Sequence, residues 1–381
     1  MSAASKDTAA HPGRLATAAV RSLSPYVPGK PISELQREYG IKDVIKLASN
    51  ENPYGPSPAA IEAIRAASDS AWLYPDGSAH ELKHALAAHL SVPIEWLTVG
   101  NGSNELLLML AETFLDATHS AVCAQYGFAI YPLVIRATGA ACIEASAFAP
   151  DAAMPYGHDL AAMARAIRPD TRLVFIANPN NPTGTWVEHE ALRQFIEAVP
   201  THALVILDEA YLEFATLSGA PSGLPWLDDH PNLVILRTFS KGYGLAGLRI
   251  GYAVSHPEVA DAMNRYRPAF NVSNVAQAAA IAALSDPEHV REAATRIVAE
   301  RERVAAALRE LRLMFAPSAG NFLMVDCGAN TAQVYEQLLR GGIIVRPIAG
   351  YGLPRHLRIS IGLPEQNDRL LLLLARILQR A

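Results

Sequence analysis

Cysteine is scarce in this chain of 381 residues: Cys123, Cys142 and Cys327 are all there is. An odd number at wide spacings excludes a disulfide framework and points to a reducing cytoplasm. Long apolar runs are missing too. The stretch over residues 370–374 falls far short of the roughly 20 residues that a membrane-spanning helix needs. Basic charge is not in excess: 32 Lys and Arg face 37 Asp and Glu, a net charge of −5, so no broad positive field favours nucleic acid or an anionic membrane. Residues 1–20 lack the apolar block of a signal peptide, and Asp7 with so few arginines speaks against a transit peptide. That Ala/Ser-rich stretch reads as a mobile tail. No fixed-period repeat or low-complexity block is present.

What remains is the composition of a core-forming protein, 50% hydrophobic and 18% charged. From about residue 60, helical segments alternate with short apolar runs at 121–124, 173–176, 204–207, 233–236 and 250–253. These runs are rich in Val, Ile and Leu and apolar on both faces, which predicts an α/β fold with a mainly parallel sheet covered by helices. After about residue 275 a helical stretch over roughly 275–312 precedes strand-like runs at 322–325, 343–345 and 357–360, the pattern of a smaller α+β domain. The division expected is a tail over 1–20, a Pro-rich extended segment over 21–60 packing with the small domain, a large domain over 61–275 and the small domain over 276–381.

Polar residues gather where the runs end, and ligands bind at the carboxyl ends of strands in open α/β sheets. Lys241 follows the 233–236 run, with Thr238 and Ser240 just before it and Arg249 eight residues on. A lysine so placed suits a Schiff base with an aldehyde cofactor, its hydroxyl and guanidinium neighbours holding that cofactor's phosphate. The cofactor implied is pyridoxal phosphate. Such chemistry needs a carboxylate beside the ring nitrogen, and Asp208 ends the 204–207 run; Tyr211, three residues on, is placed to reach the ring's phenolic oxygen. An acid at a strand end is also a common helix N-cap. Asn178-Pro179-Asn180-Asn181-Pro182-Thr183-Gly184 is a rigid turn that projects an amide, with Asn181 the candidate partner for the phenolic oxygen. Gly100-Asn101-Gly102-Ser103-Asn104 opens a helix, where backbone N–H groups bind phosphate, and makes Ser103 and Asn104 candidates. Tyr126 after the 121–124 run is placed to stack on a flat ring.

With these motifs the chain resembles the fold-type I pyridoxal-phosphate aminotransferases, and within them the histidinol-phosphate aminotransferase family. Ser24-Pro25-Tyr26-Val27-Pro28-Gly29, Asn50-Glu51-Asn52-Pro53-Tyr54-Gly55-Pro56-Ser57, Tyr74-Pro75-Asp76-Gly77 and Leu357-Arg358-Ile359-Ser360 carry the likeness further. The resemblance implies a large domain with a seven-stranded, mainly parallel sheet flanked by helices, plus the smaller α+β domain. It makes Lys241 the Schiff-base lysine and proton shuttle and pairs Asp208 with the pyridine nitrogen. Asn181 and Tyr211 go to the phenolic oxygen, and Tyr126 stacks on the ring. Thr238, Ser240, Arg249, Ser103 and Asn104 hold the phosphate, and Tyr54 reaches the cofactor of a neighbouring subunit, implying a homodimer with shared sites. Tyr26, Asn52, Arg346 and Arg358 fall at substrate positions. The implied reaction takes L-histidinol phosphate as donor and a 2-oxo acid such as 2-oxoglutarate as acceptor. Gly242 departs from the family, where many members carry a small side chain after the lysine.

Two other motifs compete. His80-Glu81-Leu82-Lys83-His84 fits a zinc-peptidase helix, yet no third ligand is identifiable, and a solvated helix face accounts for it; no metal is expected. Gly242-x-Gly244-x-x-Gly247 fits a dinucleotide fingerprint, but Ser240, Lys241 and Arg249 explain it better. The nearest rival keeps the chemistry and changes the donor to an aromatic amino acid.

Overall fold

The computed structural model describes residues 12–220 and 222–379. Of the expected tail, residues 1–11 lie outside the described residues; Pro12–Leu15 forms a 3-10 turn and Ala18–Arg21 a helical turn capped by Thr17.

A seven-stranded sheet organises the chain. Its strands are β1 (Leu97–Gly100), β2 (Ser120–Ala124), β3 (Ala141–Ala145), β4 (Thr171–Ala177), β5 (Leu204–Asp208), β6 (Leu233–Thr238) and β7 (Gly251–Ser255), in the spatial order β1-β7-β6-β5-β4-β2-β3. All neighbours run parallel except at β7, which is antiparallel to both β1 and β6. Alternate side chains explain the doubly covered sheet. Val122, Val174, Ile176, Val205, Leu207 and Ile235 enter one core, while Ala121, Cys123, Leu173, Phe175, Ile206 and Val234 enter the core on the other face. Each such aliphatic side chain contributes about 1.5–3 kcal/mol on full burial.

Two elements differ from the sequence pattern. β3 was not apparent because it is an edge strand, exposed at Ala141 and Glu144, so it lacks the doubly apolar pattern. The expected helix over 275–312 is two helices, Asn274–Leu284 and Pro287–Glu310. Pro287 disfavours a helical residue before it, and Asp286 instead caps the second helix by accepting from the His289 N–H.

The second unit is a four-stranded antiparallel sheet of Met314–Phe315, β8 (Phe322–Asp326), β9 (His356–Ser360) and Arg346–Pro347. Its core joins β8 and β9 to Ile297, Val304 and Leu308 of the long helix and to Leu370 and Leu374 of the last one. Ile45 and Lys46 pair in parallel with Ile343 and Ile344, which ties the early segment to this unit. The Ser360 N–H then donates to the Leu47 carbonyl at 2.9 Å, and residues 48–50 are carried to the sheet's carboxyl edge. No helix among the described residues is long and apolar enough to cross a membrane.

Candidate active site

β4, β5 and β6 lie side by side and deliver Ala177, Asp208 and Thr238 to one edge, Asp208 standing in register with Ala177 and Leu236. A cavity of about 180 Å³ opens there. Every candidate cofactor- or substrate-binding residue lines it except Tyr54, Asn52 and Tyr126.

Asp208 is buried and has only neutral donors. Tyr131 Oη donates to one carboxylate oxygen at 2.8 Å and the Ala210 N–H to the other at 3.1 Å. Burial pushes the carboxyl up to about 6, against the pull of those two hydrogen bonds. Among the described residues it enters no ion pair, so its negative charge lacks a cationic match. Lys241, across the cavity, donates from Nζ to the Ser49 carbonyl at 2.8 Å. Burial of its amine brings it down to about 7, helped by the Arg358 and Arg249 charges and opposed by Glu51. Near neutrality much of this amine is uncharged and nucleophilic. Tyr211 accepts from Asn50 Nδ2 at 2.9 Å, leaving its own proton free, and burial raises the phenol to about 12.

An anion cradle occupies one end. Ser103–Phe114 starts without a side-chain cap, so its first N–H groups stay available. Thr238 Oγ1 donates to Ser240 Oγ at 2.9 Å, and Arg249 Nη1 donates to the same oxygen at 3.1 Å. Gly102 has φ +75°, and a Cβ there would stand 2.2 Å from Arg249 Nη2, so only glycine lets the helix start and the guanidinium meet.

The small unit supplies the other end. Arg346 and Arg358 are register partners on adjacent strands and therefore face the same way. Arg358 is buried, donating to Asn181 Oδ1 at 2.5 Å and the Ala48 carbonyl at 2.6 Å, while its Nε–H has no partner. Arg346 lies 5.5 Å over the Tyr26 ring and donates to the Val27 carbonyl at 2.5 Å.

The three residues outside the cavity wall are placed as follows. Asn52 donates to the Gly242 carbonyl at 2.8 Å and accepts from the Tyr54 N–H at 2.9 Å. Tyr54 lies under Arg296, 5.6 Å from its guanidinium. Tyr126 packs edge-on to Tyr156 at 5.5 Å, and the ring that lines the cavity is Phe128, two residues later. The Tyr126 carbonyl anchors the amide turn by accepting from Asn180 Nδ2 at 2.8 Å. Sequence reasoning passed over Ser49, Asn50, Phe128 and Tyr131. Asn50 carried a signal: it stands at φ +56°, a backbone state that asparagine tolerates better than most residues. The His80 and His84 rings lie 4.1 Å apart, tilted by 51°, on an exposed helix face, and among the described residues no three or more His, Cys, Asp or Glu are grouped to hold a metal.

The residues fit a flat, phosphorylated aldehyde with a basic ring nitrogen: a buried carboxylate without a cation, an anion cradle, and an amine of lowered proton affinity between them. Known proteins agree. The family model for aminotransferase class I and II matches residues 42–373. Histidinol-phosphate aminotransferase 1 of Nitrosococcus oceani is 49% identical over 368 residues, 96% of this chain and 97% of that protein. Histidinol-phosphate aminotransferase 2 of Pseudomonas aeruginosa is 49% identical over 366 residues, 96% of this chain and 98% of that protein. The crystal structure of histidinol-phosphate aminotransferase from Sinorhizobium meliloti in complex with pyridoxal-5′-phosphate superposes with a TM-score of 0.86 at 33% identity, covering 96% of this chain and 97% of that one. Aspartate aminotransferase from Thermus thermophilus, at 23% identity and a TM-score of 0.82, shares the fold.

Proposed function

Because the chain belongs to the class I and II aminotransferase family, we infer that it moves the amino group of L-histidinol phosphate to 2-oxoglutarate, giving imidazole acetol phosphate and L-glutamate, a step of histidine biosynthesis. It is a transferase, and its cofactor is pyridoxal 5′-phosphate. The observation that carries the substrate assignment is the pair Arg346 and Arg358 facing the cavity, in a chain half identical to proteins named for this reaction. One guanidinium fork can hold a phosphate in the first half-reaction and a carboxylate in the second.

When bound, the cofactor supplies the electron sink that lets the donor's Cα–H ionise. The chain's own groups do the rest. Asp208, fixed by Tyr131 and the Ala210 N–H, keeps a proton on the ring nitrogen. Tyr211, through its free proton, and Asn181, through its amide, would hold the phenolic oxygen. Thr238, Ser240, Arg249, Ser103 and Asn104 anchor the phosphate. Lys241 would hold the cofactor between turnovers, and its amine, once released, would be placed to accept the proton from the donor's Cα. Its low proton affinity serves both tasks. Tyr26 and Arg346 close the donor end, and Phe128 gives the cavity an aromatic wall.

The working form is a homodimer with shared sites. Tyr54 stands outside its own cavity, and an exposed aromatic strip of Trp72, Tyr74 and Phe270 borders Arg249, as a surface to be covered by a second copy would. The three free cysteines support a cytoplasmic setting. The same aromatic wall would also accept phenylalanine. The assay that decides compares kcat/KM for L-histidinol phosphate and phenylalanine, each with 2-oxoglutarate; a preference for phenylalanine rejects the substrate assigned here.

A further inference from the structure

Gly242, next to the lysine, is buried, and a Cβ built on it would stand 2.6 Å from Glu213 Cγ and 2.8 Å from its Cβ and Cδ. These are not the free end of a flexible side chain. They are rooted in the short helix Leu212–Ala215, whose Phe214 and Ala215 are buried. Gly244 has φ +69°, but Gly242 is not among the positive-φ glycines, so its lack of a side chain serves space and not torsion. A carboxyl fills that space.

The Glu213 side chain packs directly against the Gly242 backbone, while its Oε2 is shut off from solvent and has no donor. Burial pushes the group up to about 7; Arg237 and the N–H contacts pull it down, and Glu209 pushes it up. Tyr243 and Tyr252 are the further titratable groups whose charge it feels. A buried carboxyl oxygen without a partner is costly, and such groups call for a reason. The position of the contact supplies one. The Gly242 N–H belongs to the peptide that carries Lys241's own carbonyl. That carbonyl accepts from the Gly244 N–H at 3.0 Å, and the next carbonyl, of Gly242, accepts from Asn52 at 2.8 Å. Glu213 packs against the peptide between them.

We propose, building on the aminotransferase reading, that Glu213 is a positioning residue for Lys241: its carboxyl occupies the room left by Gly242 and fixes the Lys241–Gly242 peptide, which sets the direction of the lysine amine. It touches neither substrate nor cofactor and acts only through that peptide.

The test compares Glu213→Gln, Glu213→Ala, Gly242→Ala and the double variant Glu213→Ala/Gly242→Ala with the parent. One readout is the rate at which cofactor-free protein captures pyridoxal phosphate, followed by cofactor absorbance; the other separates kcat from KM. Glu213→Ala is expected to slow capture and kcat about tenfold with KM for 2-oxoglutarate unchanged, the signature of a misdirected amine. Gly242→Ala, by displacing Glu213, does the same, and Glu213→Gln, which keeps an acceptor, restores most of the rate. In the Glu213→Ala background the collision is gone, so Gly242→Ala adds less than about twofold. Parental capture and kcat in Glu213→Ala overturn the proposal, as does a Gly242→Ala loss that is undiminished in that background. Should Glu213→Ala fail to fold, Glu213→Met against Glu213→Gln asks the same question at similar volume. A parent that captures no pyridoxal phosphate overturns the aminotransferase reading, whereas variant-to-parent ratios speak only to Glu213.

Discussion

The two walls of the cavity are built on different terms. On the sheet side, Asp208, Thr238 and Ala177 end adjacent parallel strands, and their spacing follows from register alone. Charge is left open there, since the Asp208 carboxylate has only neutral donors. On the opposite wall, Arg346 and Arg358 come from a separate sheet, and Ser49 and Asn50 from a segment held by the pairing of Ile45 and Lys46 with Ile343 and Ile344 and by the Leu47 carbonyl, which accepts from the Ser360 N–H. Here the charged groups are already engaged: Arg358 holds Asn181 and Ala48, and Arg346 holds Val27. The sheet side is thus a fixed electrostatic template awaiting a partner. The opposite wall is a set of hydrogen bonds that a substrate anion must join or replace.

Substitutions on the template should therefore cost the most. Lys241→Ala removes nucleophile and base together, and turnover should fall by at least about 10³-fold in a glutamate-coupled assay while the fold persists. Turnover at the parental rate would end the distinction between the walls. Asp208→Asn should lower kcat by about 10²-fold and yet stabilise the cofactor-free protein. The sign follows from linkage. The folded-state value is raised from 3.8 to about 6, so the contribution to stability is full below pH 3.8 and lost as pH rises through 6. At pH 7 that cost is about 3 kcal/mol, which asparagine relieves. Urea unfolding of both proteins at pH 7 measures it, and a less stable variant would contradict an open charge. Lys241 adds the complementary trend: its value is depressed from 10.5 to about 7, so cofactor-free stability should climb between those limits as pH rises.

Arg358→Ala probes the other wall. Loss of a charge-assisted fork should raise KM for both anionic substrates by roughly 10- to 100-fold, with a smaller effect on kcat. An unchanged KM would take Arg358 out of the substrate site. Replacing His80 and His84 together by alanine should leave activity unchanged and stability within about 0.5 kcal/mol, as expected of an exposed helix face; lost activity would reopen the zinc reading.

The same contrast explains what could be read from the sequence. Strand-end residues were legible because a buried parallel strand is a short apolar run, and the polar residue that ends it must face the ligand edge. Lys241, Asp208, Asn181 and the Ser103 helix start are all of that kind. Tyr131 was not legible, because it sits inside a helix and only the turn of the chain brings its hydroxyl to Asp208. Ser49 contributes a carbonyl, which side-chain identity never reveals. Asn52 and Tyr126 stand in recognisable motifs, but their side chains serve neighbouring backbone and rings, a choice made by packing. The helix break at Asp286-Pro287 was written in the sequence and was overridden in the reading by the Ala/Arg/Glu-rich composition around it.

The most direct measurement is to load the cofactor-free protein with pyridoxal phosphate, reduce it with borohydride and map the label by peptide mass spectrometry. One label per chain, on the peptide holding Lys241 and absent after Lys241→Ala, is the expected result. No label, or a label on Lys46 or another lysine, would contradict the account.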